Sequence, residues 1–427
     1  MTGVSPLRVP RARPLPGVCG GTRDWSSFGS NERSTADGKL TGEIAYENQR
    51  DHSSHTLYNY LLGWYFFIHS GKLKKALTEQ FNKRGVPKST FPFTDYPTYF
   101  GCIWQYVSLL HDIGYMFEGG LSTLSFDPNT QAQHGAKVAE EYFNRSVLQD
   151  YETNRITLTK ELGEELAPPA FADIDSLGKI SSEVQFIGNL KQLLKQVAVA
   201  LDKTITPKPL PADYLDNGFD LWIQYYRCFD NNRMARRFRS LRKVFDGLID
   251  SGIPGKQVRL LDHGVCGGLL QLLASTYYYR LQACARLPSS ASSQLARRIR
   301  ENQWSPAFWW SGIVWGTAAA ALHNIQQISA ARKLDRNWPG KLRLSDDPLA
   351  YLGILVDIIQ EWNRYSVKKR LDSEPIQGIE VELGSKSSMI FLRFKEPDAL
   401  KRAAKVRKEL DQALAAWKDL LEIQPQK

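Results

Sequence analysis

Long segments with the periodicity of an α-helix follow one another along most of this 427-residue chain. Each segment either places apolar residues at helical spacing or is apolar throughout, and few segments alternate with the period of two that is typical of a strand. The segments with a helical pattern are 54–69, 97–117, 131–147, 175–201, 211–228, 263–286, 306–328 and 347–367. The sequence therefore predicts a mainly α-helical protein.

The C-terminal part of the chain has a different pattern. Residues 379–383 and 389–394 alternate apolar and polar side chains on either side of a GSKS segment, which predicts a β-hairpin. An amphipathic segment follows at about 396–421 and predicts a helix that can cover the hairpin. We therefore expect residues 371–427 to form a small accessory unit of a β-hairpin plus a helix.

The remaining chain divides by composition. Residues 1–44 are rich in Gly, Pro, Ser and Arg and lack apolar periodicity, which predicts a flexible basic head. Residues 45–370 carry the helical pattern and form the expected core. Within that core, residues 120–255 contain turn-rich breaks between helical segments, so we expect a central helical insertion or cap.

The charge balance favours anionic partners. The formal net charge is +10, which suits phosphates, nucleotides, nucleic acid or an anionic membrane surface. Part of the excess lies in RMARRFRSLRK, residues 233–243. We favour a solvated helix face there over a nucleic-acid surface.

Cysteine usage and hydropathy bear on the compartment. The five cysteines are scattered, odd in number and form no CxxC pair, so neither a disulfide framework nor a thiolate zinc site is expected. No apolar run follows the N-terminal charges, and the uncharged stretch Ala307–Leu322 is shorter than the roughly 20 residues of a membrane span. We expect a cytoplasmic protein without a membrane span.

The histidines are the candidate functional residues. The chain has only seven, and most lie in the helical segments with a carboxylate or amide beside them. Burying an unpaired carboxylate such as Asp112 or Asp357 costs several kcal/mol, which a bound cation would offset. Imidazole and carboxylate donors suit Mn, Fe, Co, Zn or Mg. A lone histidine favours a hydrogen-bonded core residue, but five or six such positions together favour a metal site.

These residues resemble the ordered signature H…HD…H…H…D of the HD-domain phosphohydrolases. The resemblance is carried by His55, LLHDIGY with His111-Asp112, DHGVCGG with His263, ALHNI with His323 and LVDIIQEWNR with Asp357. It covers two blocks, about 50–118 and 258–366. It implies an all-helical bundle with one or two divalent metal ions, in which the aspartate of the His-Asp pair is able to bridge two metals.

The resemblance also implies the ligands. His55, His111, Asp112 and Asp357 form the minimal set, and His263 and His323 are the ligands of a second metal. Two alternatives stay open: His52 lies three residues before His55, and His134 starts a helical segment with the same His-Gly pair as His263.

The function that this resemblance implies is metal-dependent hydrolysis of a phosphomonoester or phosphodiester, with a nucleotide or nucleotide-like molecule as the substrate. His111 and Asp112 are the expected catalytic pair, Arg364 is a candidate phosphate contact, and Asp262 and Asn324 are candidate residues for orienting the ligands. Two alternatives are a non-catalytic HD module that binds a phosphorylated ligand or partner, and an HD-type nuclease acting on nucleic acid.

Overall fold

The computed structural model describes residues 52–84, 96–112, 218–250, 263–265, 267–269, 271–272, 275, 308–324, 338–360, 376–383, 388–394 and 399–425. The expected head at 1–44 and the helical segments at 131–147 and 175–201 lie outside these residues. So do His134, Asp262 and Arg364.

The described part of the chain is mainly helical, as the sequence predicts. The first seven helices in chain order are α1 (His52–His69), α2 (Gly71–Lys83), α3 (Tyr96–Ser108), α4 (Gly218–Cys228), α5 (Asn232–Asp250), α6 (Val314–Ala321) and α7 (Pro348–Ile359). A π-helix, Trp309–Ile313, leads directly into α6. Residues 263–265, 267–269, 271, 272 and 275 are also helical and are called here the His263 segment.

Helix α3 packs against α1, α6 and α7. Glycine allows the close approach of α1 and α3: a Cβ at Gly63 would lie 2.0 Å from the ring of Trp104, which is fully buried. Glycine acts in the same way between the His263 segment and α6, since a Cβ at Gly268 would lie 2.6 Å from Ala321 Cβ. These contacts hold together the helices that carry the candidate ligands.

The start of α7 is set by a buried carboxylate. Asp347 is the N-cap residue, and its Oδ1 accepts hydrogen bonds from the backbone N–H groups of Leu349 and Ala350. Its Oδ2 accepts hydrogen bonds from Tyr226 Oη and from Trp315 Nε1, at 2.5 and 2.8 Å. Because these donors come from three helices, Asp347 ties α4, α6 and α7 together.

The later part of the expected insertion packs into the core. Phe219, Trp222, Tyr225 and Tyr226 of α4 are fully buried and belong to the same hydrophobic core as α3, α6 and α7. Trp222 Nε1 donates a hydrogen bond to Thr317 Oγ1 in α6. Residues 218–243 are therefore an integral part of the helical bundle.

The basic segment at 233–243 forms much of α5, and half of its charges have structural partners. Arg233 pairs with Asp346 at 2.8 Å, Arg242 pairs with Asp220 at 2.5 Å, and Arg237 is fully buried. Only the other basic residues of the segment, Arg236, Arg239 and Lys243, are exposed.

The C-terminal unit contains the predicted hairpin and one strand more. Strands β1 (Ile376–Leu383) and β2 (Ser388–Phe394) pair antiparallel, which agrees with the sequence pattern. Helix α8 (Ala399–Ala413) ends well before residue 421, and after a 3-10 turn at Trp417–Asp419 the chain forms β3 (Leu421–Pro425). Strand β3 pairs parallel to β2, so the expectation of a hairpin alone with a helix to 421 is wrong.

The cysteines differ in their bonding. Cys102 in α3 is disulfide-bonded, whereas the side chain of Cys228 is a thiol. The spacing of cysteines along the chain did not predict the bond at Cys102, and such bonds are rare in the reducing compartment that the sequence favours. Among the described helices, none has both the length and the apolar character needed to cross a bilayer.

Candidate metal centre

Six imidazole and carboxylate groups from five parts of the chain meet in the core. His55 comes from α1, His111 and Asp112 from a 3-10 turn just after α3, and Asp357 from α7. His263 opens the His263 segment, and His323 lies just beyond the end of α6. The four histidines and Asp112 are buried, and the Asp357 side chain is 18% exposed.

The first group consists of His55, His111 and Asp357. The two Nε2 atoms of the histidines are 3.2 Å apart. Asp357 Oδ1 lies 2.9 Å from His55 Nε2 and 3.6 Å from His111 Nε2. One ligand atom from each residue therefore faces a common point.

The second group consists of His111, Asp112 and His323. Asp112 Oδ1 lies 3.3 Å from His111 Nε2 and 3.6 Å from both His323 Nε2 and His263 Nε2. The last two nitrogens are 3.0 Å apart, so His263 adjoins this group. Asp112 Oδ2 lies 3.5 Å from His55 Nε2, and the Asp112 carboxylate thus has one oxygen toward each group.

Hydrogen bonds on the outer nitrogens orient three of the imidazoles. Nδ1 of His111 donates to the Ser108 carbonyl at 2.8 Å, and Nδ1 of His323 donates to the Ala320 carbonyl at 2.7 Å. Nδ1 of His55 donates to Gln360 Oε1 at 2.5 Å. Donation from Nδ1 leaves Nε2 of a neutral ring as a lone pair directed at the centre, which is the form that binds metals.

The distances fit a shared cation. Ligand atoms bound at about 2.0–2.2 Å to one metal ion lie about 2.9–3.5 Å from one another. The atoms of the first group are separated by 2.9–3.6 Å, and in the second group Asp112 Oδ1 lies 3.3 Å from His111 Nε2 and 3.6 Å from His323 Nε2. Two Nε2 lone pairs at 3.2 Å also repel each other unless a cation or a proton lies near both. These residues could therefore hold a metal ion.

The pKa values of the residues in the centre are shifted in different directions. Burial lowers the pKa of His111, although Asp112 and Asp357 act in the opposite direction. Burial would lower the pKa of His323 too, but its hydrogen bond with Asp112 and the charges of Asp357 and Asp112 raise it to about 9. Loss of solvation would raise the pKa of Asp357, but hydrogen bonds from His111 and His55 hold it well below its usual range. Asp357 is thus ionised at neutral pH, whereas His323, as long as no metal ion is bound, is the positively charged imidazolium.

All six residues that the sequence singles out as ligands lie in this cluster. His55 of α1 reaches the cluster. The side chain of His52 lies outside the described residues, as do His134, Asp262 and Arg364, so the two alternatives stay open. Asn324 Nδ2 lies 3.5 Å from His263 Nδ1, which fits its expected role in orienting a ligand.

Two polar residues of the centre are absent from the sequence-based set. Gln360 is fully buried and accepts the hydrogen bond from His55, and Asn59 is buried within 3.2–3.5 Å of the first group. Each follows a ligand at helical spacing, Asn59 four residues after His55 and Gln360 three residues after Asp357. That spacing is the only signal that could have identified them.

We compared the chain with known protein families, proteins and structures. No family model matches the chain, and neither does any curated protein or any solved structure.

Proposed function

We propose that this protein is a metal-dependent phosphohydrolase of the HD-domain kind, acting on a nucleotide or nucleotide-like phosphate ester. The observation that supports this most strongly is the convergence of four Nε2 atoms and two carboxylates in one buried cluster. Burying Asp112 beside another carboxylate is costly unless positive charge compensates it. One or two divalent cations would supply that charge.

The donor set fits hydrolysis and contains no thiolate among the described residues of the cluster. Imidazole nitrogens and carboxylate oxygens are the donors that hydrolytic metals such as Zn, Mn and Mg use. A divalent cation in this set supplies Lewis-acid polarisation of a phosphate ester and activates water for attack on phosphorus. Asp112, with an oxygen toward each group, is the residue suited to hold two cations at a fixed separation.

The positions of the side chains suggest how a substrate meets the centre. Asp357 is the most exposed of the six groups, so we expect the substrate to approach from its side. The two carboxylates together carry two negative charges, which a pair of divalent cations would exceed. An anionic phosphate would then be favoured over a neutral substrate.

The nuclease alternative receives little support from α5. Three of its six basic residues between 233 and 243 are paired or buried, which leaves a small cationic surface for a nucleic-acid backbone. The non-catalytic HD module remains the second candidate.

The proposal is tested by metal analysis of the purified protein together with a substrate screen. The screen contains nucleoside mono-, di- and triphosphates, cyclic nucleotides and alarmones, and it detects released phosphate or nucleoside. We expect stoichiometric metal and hydrolysis that chelation abolishes and metal restores. Tight nucleotide binding without hydrolysis would favour the non-catalytic module, and absence of metal binding would refute the proposal.

A further inference from the structure

Asn59 also lies in the metal centre, beside the histidines and carboxylates. It lies in α1, one turn after His55, and its side chain is 1% exposed. A carboxamide in an otherwise apolar core requires partners for both its N–H₂ group and its carbonyl oxygen.

The amide nitrogen faces the three atoms of the first group. Asn59 Nδ2 lies 3.2 Å from His55 Nε2, 3.3 Å from His111 Nε2 and 3.5 Å from Asp357 Oδ1. These separations fall within the range of the distances between the three atoms themselves, 2.9–3.6 Å. The amide therefore stands where a fourth ligand of the same polyhedron would stand.

The amide oxygen of Asn59 differs from the amide nitrogen in its contacts. Asn59 Oδ1 is buried and has no hydrogen-bond partner among the residues that the structure describes. A buried acceptor without a partner is destabilising, because it has lost its hydrogen bonds to water. A cation bound between His55, His111 and Asp357 would repel the N–H hydrogens of the amide and attract its oxygen. A half-turn of the carboxamide exchanges the two atoms without moving the rest of the side chain.

We infer that Asn59 is a further ligand of the cation at the first group, binding through Oδ1. This inference rests on the metal centre of the proposed function. Amide oxygens bind hard cations such as Mn²⁺ and Mg²⁺ in preference to softer ones, whereas imidazole nitrogens bind Zn²⁺ well. Asn59 therefore biases the first group toward an oxygen-seeking metal, and its loss weakens Mn²⁺ binding more than Zn²⁺ binding.

The test measures Mn²⁺ and Zn²⁺ affinities by calorimetric titration of the full-length, chelator-treated protein. The key variant is Asn59→Leu, which has a similar volume and no polar atoms. The control is Asn324→Leu, since Asn324 is also a buried asparagine but touches the outer nitrogen of His263. Circular dichroism establishes that each variant is folded.

We expect Asn59→Leu to weaken Mn²⁺ binding about 10–100-fold and Zn²⁺ binding only a few-fold. Asn324→Leu is expected to leave the ratio of the two affinities as in the wild type. Asn59→Asp keeps the oxygen and adds a charge, so it binds Mn²⁺ at least as tightly as the wild type. This second variant decides the question if Asn59→Leu does not fold.

Three results would overturn the assignment of Asn59. These are wild-type Mn²⁺ affinity in folded Asn59→Leu, an equal loss of both metals in that variant, and weaker Mn²⁺ binding by Asn59→Asp. Each leaves the metal centre itself intact. If the wild-type protein binds neither metal, the proposed function fails and the role of Asn59 fails with it.

Discussion

Metal binding is expected to displace a proton from His323. The pKa of this ring is raised to about 9 by Asp112 and Asp357 despite its burial, so in protein stripped of metal it is protonated at pH 7. A metal ion at Nε2 requires the neutral ring. Each metal bound to the second group at pH 7 must therefore release the proton of His323.

The size of the effect on metal affinity depends on how far the pH of the measurement lies below the pKa of His323. Below about pH 9 the apparent affinity falls about tenfold for each pH unit, so binding is about tenfold tighter at pH 8 than at pH 7. The stability of the metal-free protein changes in the opposite direction. The pKa of His323 is raised in the folded state, from 6.5 to about 9. The contribution of His323 to the free energy of unfolding is therefore complete below pH 6.5 and is lost as the pH rises through 9. That contribution is about 3 kcal/mol.

The assay is calorimetric titration of Zn²⁺ or Mn²⁺ at pH 7 in buffers with different enthalpies of ionisation. The dependence of the measured heat on the buffer counts the protons released, and thermal melts of the metal-free protein between pH 6.5 and 9 measure its stability. His323→Ala is the control, since it removes this proton and weakens the second group. Equal affinity at pH 7 and pH 8, with no proton released, would refute the assignment of a protonated His323.

Three substitutions test other parts of the structure. Asp112→Ala is expected to reduce hydrolysis by several orders of magnitude, measured as initial rates, and substantial remaining activity would contradict its role. Gly63→Ala places a Cβ against the Trp104 ring and is expected to lower the free energy of unfolding, measured in urea, by about 1–3 kcal/mol. The control is Gly71→Ala, whose Cβ would have nothing within 4 Å and which is expected to change the free energy of unfolding little. Equal effects of the two substitutions would contradict the packing argument. Asp347→Ala removes an N-cap and leaves buried donors without an acceptor, so we expect a loss of about 3–5 kcal/mol, and a loss below 1 kcal/mol would show that α7 does not depend on it.

The sequence alone determined the class of the fold. Helical periodicity is a local property, and it predicts both ends of α1 and the start of α7 to within about two residues, although the predicted segment runs past the end of α7 at Ile359. The chemistry of the candidate ligands is local too, because histidines and aspartates in apolar helices need a compensating partner. Helix α2 was not expected, since it buries only Leu73, Leu77 and Phe81, whereas the solvated helix face expected at 233–243 lies in α5.

The tertiary structure decided what depends on contacts between distant residues. The segment ALAAW at 413–417 consists of good helix formers, yet the chain leaves α8 there because Leu342 pairs with Leu414 and β3 pairs with β2. The inward positions of Asn59 and Gln360 are of the same kind. Their partners His111 and His55 are far away in sequence, and the local pattern shows only that each residue follows a ligand at helical spacing.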